Sequence, residues 1–208
     1  RRKSSTNKDI MKPWTIQTTE FYDTLQQNGV VYCDRESWFC QEYREMYDWM
    51  AGEMRKYVGN PPREGVRYPI WAWYQYTSRK KPRPPISPSL LSSDQEKGVM
   101  LEIEIPDNEV LLSDFDLWHI PLNGHPISDD EKLMHRFKAF RAIHGGSCDF
   151  GDYPDDLQYD IMLTWGVIFD LRTKLGKWIA KAMWNRCIQA CFWELKLEQV
   201  KIVYYIHK

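Results

Sequence analysis

The sequence predicts a single α+β domain in which helices pack on a mixed or antiparallel sheet. Strand-like segments rich in apolar and aromatic residues are interspersed with segments of helical periodicity, without the regular alternation of a doubly wound fold. The chain has 208 residues, which is enough for one sizeable hydrophobic core. We expect that domain to cover residues 11–208. Residues 1–10 are polar and basic, and we expect them to be a flexible arm or a cloning remnant.

The N-terminal part predicts a strand, a helix and a second strand. Residues 13–17 are typical of a short strand. Thr18 or Thr19 can cap the helix, because a threonine hydroxyl accepts a hydrogen bond from a free backbone N–H of the first turn. Gly29 ends the helix, since glycine readily adopts the left-handed conformation that closes many helices. Residues 30–33 predict the second strand.

Three longer segments follow. Residues 34–58 predict a long helix, because apolar side chains recur at steps of three and four residues. Residues 67–76 are rich in aromatic residues and predict a central strand. Residues 77–94 combine proline, serine and basic residues, which indicates a loop.

The second half of the chain predicts both strands and helices. Apolar and acidic residues alternate over residues 99–105, which indicates a half-exposed strand, and residues 110–112 predict a short one. A capping box at residues 128–131 begins a helix that ends near Ala142. The remaining predicted elements are helices over residues 156–171 and 176–186 and two closing strands within residues 188–206.

Composition and charge exclude several classes of protein. The formal net charge is −1, so any binding of nucleic acid has to be local. No apolar run in the sequence approaches the roughly 20 residues of a membrane-spanning helix. The cysteines are odd in number, and their spacing matches no disulfide framework. Both observations indicate reduced thiols and a cytoplasmic location. These cysteines are residues 33, 40, 148, 187 and 191.

One carboxylate stands in an unusual setting near the C-terminus. Glu194 lies in a run of aromatic and apolar residues that predicts a strand. Burial of a charged group is costly unless a partner compensates it. Glu194 therefore has either a structural partner or a chemical role, and both interpretations stay open at the level of sequence.

The chain as a whole resembles a bacterial family that is known only as a domain of unknown function. The resemblance extends over nearly all of residues 11–205 and implies no established activity. The segments that carry it are residues 14–17, 68–73, 80–82, 101–106, 111–116 and 189–200.

Three segments also resemble ADP-ribosyltransferase domains. The strand, short helix and strand of residues 14–33 resemble the opening of those domains, and residues 69–76 resemble their second element. Residues 193–206 are similar to the closing strands of poly-ADP-ribose polymerases. The resemblance implies an ADP-ribosyltransferase-like split sheet with NAD as the cofactor, bound in a cleft between the two halves of the sheet.

Carried over residue by residue, this resemblance assigns roles to five side chains. Glu194 would be the catalytic carboxylate, because a fixed negative charge stabilises the cationic sugar that forms when the nicotinamide–ribose bond breaks. Trp71, Trp73 or Tyr74 would stack on the nicotinamide ring. Thr15 stands where the family often has histidine or arginine, and it can hydrogen-bond a ribose without carrying charge. The alternative is that the aromatic side chains belong to the core.

Arg79 and Lys80 begin a basic loop that continues through Lys81 to Arg83. Beside an aromatic strand, such a loop can hold the pyrophosphate of NAD or the backbone of a nucleic acid, and it is equally compatible with a solvated loop. Two functions follow. The first is an NAD-dependent ADP-ribosyltransferase, for example a bacterial or phage toxin or defence factor, that modifies a nucleic-acid or protein acceptor. The second is a non-catalytic module that binds nucleic acid or protein. No membrane partner is expected.

Two further clusters have simple explanations. Asp114, Asp116 and His119 are compatible with an acid–base or metal group, and an Asp-capped turn after a strand explains them equally well. His144 and Cys148 stand in a glycine-rich loop, and two such ligands are too few for a zinc site. We therefore expect no metal.

Overall fold

A computed structural model describes residues 9–33, 42–78, 80–145, 148–172 and 186–208. The strands are β1 (Ile10–Met11), β2 (Trp14–Gln17), β3 (Val30–Tyr32), β4 (Ile70–Gln75), β5 (Lys97–Ile103), β6 (Ile105–Pro106), β7 (Leu111–Asp114), β8 (Ile188–Phe192), β9 (Glu194–Lys196) and β10 (Val200–His207). The helices are α1 (Thr19–Asn28), α2 (Arg44–Tyr57), α3 (Phe115–Leu122), α4 (Glu131–Ile143) and α5 (Asp155–Trp165).

Six of these strands form one sheet in the order β10-β5-β2-β4-β8-β7. Strand β1 pairs with β6 and strand β3 pairs with β9 in two small sheets. Every pairing among these strands is antiparallel. The predicted α+β class is therefore confirmed, with a largely antiparallel sheet.

The main sheet carries a hydrophobic core on each face. Helices α2 to α5 pack on one face around side chains such as Met50, Trp118 and Trp165. Helix α1 packs on the other face, where Leu25 belongs to the same cluster as Leu101 of β5. Because successive side chains of a strand point to opposite faces, β4, β7 and β8 contribute to both layers. The corresponding face of β2, β5 and β10 packs around Leu91 instead.

Helix α1 begins and ends where the sequence predicts. The Oγ1 atom of Thr18 accepts a hydrogen bond from the backbone N–H of Phe21 at 3.1 Å. Gly29 has a φ of 74°, and its N–H donates to the carbonyl oxygen of Leu25 at 2.9 Å. A side chain at the Gly29 position would be strained in this left-handed conformation.

Strand β4 is central, as the aromatic segment predicts, since it lies between β2 and β8. Strand β5 is more deeply buried than its alternating sequence suggests. Met100 points away from the α1 layer, yet it is 0% exposed because Leu91 of the preceding loop packs in the same cluster.

Two helices differ from the prediction. Residues 115–122, expected as a turn, form α3, and Asp114 caps it by accepting a hydrogen bond from the N–H of Leu117 at 3.0 Å. Pro121 lies in the last turn of α3, so the sequence there lacks a helical signature. Asp130, rather than Ser128, caps α4. Residues 34–41 of the predicted long helix and residues 176–185 of the last predicted helix lie outside the described residues.

The first of the two predicted closing strands is divided at Trp193. Residues before it form β8 in the main sheet, and residues after it form β9, which pairs with β3. The indole Nε1 of Trp193 donates to the carbonyl oxygen of Gly59 at 2.9 Å, which fixes the chain at this transition. Glu194 therefore begins the small sheet at the point where the main sheet ends.

Leu101→Ala tests the importance of the α1 layer. Leu101 is 0% exposed at the centre of β5, so we expect the truncation to lower the free energy of unfolding by about 2–5 kcal/mol. Leu163→Ala, at a position that is 65% exposed on α5, should change it by less than about 0.5 kcal/mol. Urea unfolding followed by tryptophan fluorescence measures both values, and equal losses would contradict this packing.

Candidate functional site

Glu194 forms an ion pair with Arg63. The Oε2 atom of Glu194 accepts a hydrogen bond from Nε of Arg63 at 2.8 Å and lies 2.7 Å from its Nη2 atom. The Nζ atom of Lys196 lies 3.6 Å from Oε1 of Glu194. The Glu194 side chain is 11% exposed and the Arg63 side chain is 40% exposed. Glu194 thus has a structural partner, and the pair lies at the protein surface rather than in a sealed interior.

An open cleft of about 200 Å³ begins at Glu194. It lies between the end of α2, strand β6 and the junction of β8 with β9, with an apolar wall from Val58, Ile105 and Phe192. Pockets for drug-sized ligands measure roughly 300–1,000 Å³. The cleft therefore has room for a small polar molecule or for one end of a larger ligand.

The predicted NAD-binding side chains lie elsewhere. Thr15 is 0% exposed, and its Oγ1 atom donates to the carbonyl oxygen of Trp71 at 2.8 Å. Tyr74 packs against the core on the α1 side of the sheet. The described residues that line the Glu194 cleft do not include Thr15, Trp71, Trp73 or Tyr74. The structure brings Thr15 and Trp71 together, but not with Glu194, and Arg79 lies outside the described residues.

One row of directly opposite residues crosses the whole main sheet. Trp14 of β2 and Trp73 of β4 are neighbours at its centre, and both are half-buried. Directly opposite residues of paired strands point to the same face of the sheet, so all members of the row share one face. That face is the one that carries α2 to α5. From edge to edge the row consists of Ser113, Gln189, Trp73, Trp14, Glu102 and Ile202.

Further aromatic rings adjoin the centre of this row. The ring of Trp73 contacts those of Tyr76 and Phe115 edge to face, with centroids 5.0 Å and 4.7 Å away. The Nε1 atom of Trp14 donates to Oε2 of Glu102 at 3.2 Å, which orients the indole. These contacts leave Trp14, Trp73, Tyr76 and Phe115 partly accessible to solvent.

The basic segment forms a tight hairpin that prolongs β4. The N–H of Tyr76 donates to the carbonyl oxygen of Pro82 at 2.7 Å, and the N–H of Lys81 donates to that of Ser78 at 2.9 Å. Lys80 and Lys81 are exposed at its tip.

Arg83 follows the hairpin and lies over Tyr204 of β10. Its guanidinium carbon is 5.3 Å from the ring centroid, and its Nη1 atom donates to the Tyr204 hydroxyl at 3.1 Å. Within the described part of the chain, no carboxylate forms an ion pair with Lys80, Lys81 or Arg83. We use the term aromatic–basic face for Trp14, Trp73, Tyr76, Lys80, Lys81, Arg83 and Tyr204.

Three buried polar atoms beside this face have no hydrogen-bond partner. They are Nε1 of Trp71, Oγ of Ser113 and Oε1 of Gln189. An unpaired buried polar group costs about 1–3 kcal/mol of stability. The three atoms therefore represent a substantial unfavourable contribution within one small region of the sheet.

Asp114 has a structural role in addition to its position next to Ser113. It caps α3, and its Oδ2 atom lies 3.7 Å from Nε of the buried Arg186. Burial raises the pKa of Asp114 above its ordinary value, while the Leu117 N–H and Arg186 oppose that rise. His119 is exposed, and its Nδ1 atom lies 2.9 Å from the carbonyl oxygen of Phe115. These contacts are those of a capped helix, α3, in place of the capped turn that the sequence predicts.

Cys148 belongs to a polar cluster between α4 and α5. Its Sγ atom donates to the hydroxyl of Tyr153 at 3.7 Å, and Nη1 of Arg141 lies 3.2 Å from that hydroxyl and 3.2 Å from Nε2 of His125. Among the residues that the structure describes, no three His, Cys, Asp or Glu side chains are grouped so as to hold a metal ion. Nor does any described helix have the length and apolar character needed to cross a bilayer.

Together, these features define an α+β protein whose sheet presents accessible aromatic side chains beside unpaired cations. A family model described as a domain of unknown function, DUF3841, matches residues 13–201, and the chain belongs to that family. This match confirms the resemblance to a family that is known only as a domain of unknown function. No curated protein and no solved structure matches the chain.

Sequence reasoning missed three residues of this region: Ser113, Gln189 and Tyr204. The sequence assigns none of them a role, because each adjoins the aromatic residues only through strand pairing or loop contacts. Trp73, Lys80 and Lys81 were identified because aromatic and basic residues follow one another closely along the chain.

The pH dependence of stability tests the surroundings of His125. Burial, and then the charge of Arg141, lowers the pKa of His125 below its ordinary value of 6.5, so the folded state favours the neutral imidazole. The unfolded state then binds the proton more readily, and stability declines as the pH falls through 6.5 towards the folded-state pKa.

We expect His125→Gln to lose less stability than the wild type on acidification, as measured by denaturant unfolding on both sides of this window. His135→Gln, at an exposed position of α4, is the control and should behave like the wild type. Identical pH profiles for the wild type and His125→Gln would show that His125 is not perturbed.

Proposed function

We propose that this protein binds single-stranded nucleic acid on the aromatic–basic face. The observation that carries the proposal is the pair of half-buried tryptophans, Trp14 and Trp73, side by side on two central strands. Aromatic side chains on an open sheet surface stack on unpaired bases, and each stacked base contributes about 1–3 kcal/mol to binding. Two adjacent indoles can accept two successive bases.

The cations beside the tryptophans supply the complementary charge. Lys80 and Lys81 extend from the hairpin that continues β4, so the phosphates of a strand stacked on Trp73 would pass close to them. Arg83 adds a guanidinium that is already stacked on an aromatic ring. Because the net charge is −1, this local group accounts for attraction to a polyanion that the molecule as a whole does not provide.

The same features favour nucleic acid over a protein partner. The centres of protein interfaces are depleted of charged residues. Here Gln189 and Glu102 lie on either side of the tryptophan pair, and the hairpin that prolongs β4 carries lysines without a carboxylate partner. Stacking planes with polar neighbours and nearby lysines suit bases and phosphates better than an apolar protein surface.

Charge reversal tests this proposal. We expect Lys80→Glu/Lys81→Glu to weaken the binding of a short labelled single-stranded oligonucleotide by at least about tenfold in fluorescence anisotropy. Each phosphate contact contributes about 0.7 to the slope of log affinity against log salt, so that slope should fall by about 1.4. The free energy of unfolding should stay unchanged, because both side chains are exposed.

Lys132→Glu/Lys138→Glu, on the exposed side of α4, is the matched control for total charge. It should bind like the wild type apart from a small long-range effect. Equal affinity of all three proteins, or no binding by the wild type, would refute the proposal.

A second candidate function, ADP-ribosyl transfer, is supported by the position of Glu194. This carboxylate stands at the edge of an open cleft, where the chain passes from the main sheet to the β3–β9 sheet. A division of the sheet at a nucleotide cleft is what the ADP-ribosyltransferase resemblance implies. In this proposal Glu194 stabilises the cationic sugar of NAD, Arg63 orients the carboxylate, and the acceptor is a macromolecule.

Labelled NAD tests the second candidate. We expect release of free nicotinamide by the wild type and a loss of about 10²–10³-fold in Glu194→Gln, which removes the charge and keeps the shape. Glu104→Gln is the control, since Glu104 is also a partly covered carboxylate that pairs with two lysines. The activity would be excluded if calorimetry showed no NAD binding, or if no nicotinamide were released.

A further inference from the structure

The two edges of the main sheet differ. Strand β7, at one edge, has four residues and packs against residues 166–169. Strand β10, at the other edge, has eight residues, whereas a typical strand has about five or six. Among the described strands, β10 pairs only with β5. A long edge strand of this kind is a template on which a further strand can pair.

Alternate residues of β10 direct their backbone groups past this edge. The N–H of Lys208 donates to the carbonyl oxygen of Glu96 at 3.1 Å, and the register of β10 on β5 is regular after a bulge at its beginning. In an antiparallel ladder, positions that bond to a given neighbour alternate with positions that do not. The even-numbered residues therefore bond to β5, whereas the N–H and C=O groups of Val203, Tyr205 and His207 point away from it.

The side chains of β10 do little to protect this edge. Ile202 is 42% exposed and Tyr205 is 58% exposed. Proteins commonly block an edge strand with a bulge or a lysine. In β10 both occur at Lys201, near the beginning of the strand, where the register shifts. Residues 202–206 carry no charged side chain, so no like charges there oppose the approach of a second copy.

The segment is self-complementary in an antiparallel pairing. Its regular part, residues 202–208, is centred on Tyr205. A two-fold axis normal to the sheet at Tyr205 pairs two copies of this segment, and such a contact uses the same groups from each copy. Tyr205 then lies opposite Tyr205 of the second copy, and Val203 lies opposite His207. This register uses every residue after the bulge whose backbone groups point past the edge.

The same register brings apolar side chains together on both faces. The two Tyr205 rings meet on the α1 side, to which the neighbouring Val203 also points. Tyr204 lies opposite Ile206 of the second copy on the other side, where both belong to the Leu91 cluster of their own chain. Aromatic pairs, and pairs of an aromatic with a β-branched residue, are among the cross-strand pairs that stabilise a sheet.

We propose that two copies of this protein associate through β10, so that their six-stranded sheets become one continuous antiparallel sheet. The partner is a second copy of the chain because β10 offers it matching backbone groups and matching side chains in one register. A single strand pair is small compared with the interfaces of about 1,600 Å² in stable complexes. We therefore expect a reversible dimer with a Kd of the order of 10 µM.

The symmetry of this dimer has a consequence for the aromatic–basic face. An axis normal to the sheet keeps equal faces of the two copies on the same side. Tyr204, which belongs to the aromatic–basic face, is one residue from the axis, so the faces of the two copies adjoin. This consequence rests on the nucleic-acid binding proposed above, whereas the association of the two copies does not.

Sedimentation velocity of the full chain without nucleic acid tests the association. We expect the wild type to sediment as a monomer of 24.9 kDa at about 1 µM and mostly as a species of twice that mass at about 200 µM. A single 24.9 kDa species over this whole range would overturn the proposal. That result would leave the nucleic-acid proposal in place, since no oligonucleotide is present.

Two variants at Tyr205 test whether β10 is the contact. Tyr205→Lys places a charge from each copy beside the axis, and Tyr205→Pro removes an outward N–H that β5 does not use. We expect each to weaken dimerisation at least about tenfold, with the thermal unfolding of Tyr205→Lys unchanged because its side chain is exposed. Tyr159→Lys, at a position 60% exposed on α5, is the matched control and should dimerise like the wild type.

A cysteine on the axis tests the register. Directly opposite residues that exchange hydrogen bonds have Cα atoms about 5.5 Å apart, which suits a disulfide. We expect Tyr205→Cys to form a covalent dimer with diamide as the oxidant, seen on a non-reducing gel, and Tyr159→Cys and the wild type to form far less. Cross-linking of Tyr205→Cys at the level of these controls would overturn the proposal. Undiminished dimerisation of both Tyr205→Lys and Tyr205→Pro would overturn it as well.

Discussion

The pairing register of β4 between β2 and β8 is the constraint on which the aromatic–basic face depends. This register places Trp73 opposite both Trp14 and Gln189. Because side chains alternate between faces, a slip of one residue would turn these groups into the α1 layer. That layer is occupied at the same level by the small residues Thr15 and Ala72, which are fully or almost fully buried. Close packing leaves no room there for indoles, so side-chain volume selects the observed register.

The two faces of the sheet therefore have different physical properties. The α1 face is apolar and closed, and the opposite face is closed only where α2 to α5 and the loop with Leu91 cover it. Beyond those helices, half-buried indoles remain next to exposed lysines, and elsewhere in the sheet three buried polar atoms have no hydrogen-bond partner. Both features lower stability, and a fold optimised only for stability would avoid them. Such local departures from good packing are typical of sites that contact a ligand.

Glu194 illustrates a different balance. An ion pair with a partly exposed arginine contributes only about 0.2–1 kcal/mol, so the Arg63 contact is a weak reason for placing a carboxylate among apolar residues. The position of Glu194 follows from the break at Trp193. The hydrogen bond from Trp193 to Gly59 holds the chain where it passes from the main sheet to the β3–β9 sheet. The cleft and the aromatic–basic face are formed by different strands and are lined by different residues.

The sequence by itself determined the features that depend on neighbours along the chain: α1 with its cap at Thr18, the central aromatic strand and the family. The helix α3 was not predicted, because its sequence has weak helical signals and contains Pro121. Only the tertiary structure decided that Glu194 pairs with Arg63, 131 residues away, and that Gln189 lies beside Trp73. The physical reason is the range of the interactions. Capping and periodicity act within one or two turns, whereas strand pairing is selected by the packing of the whole core.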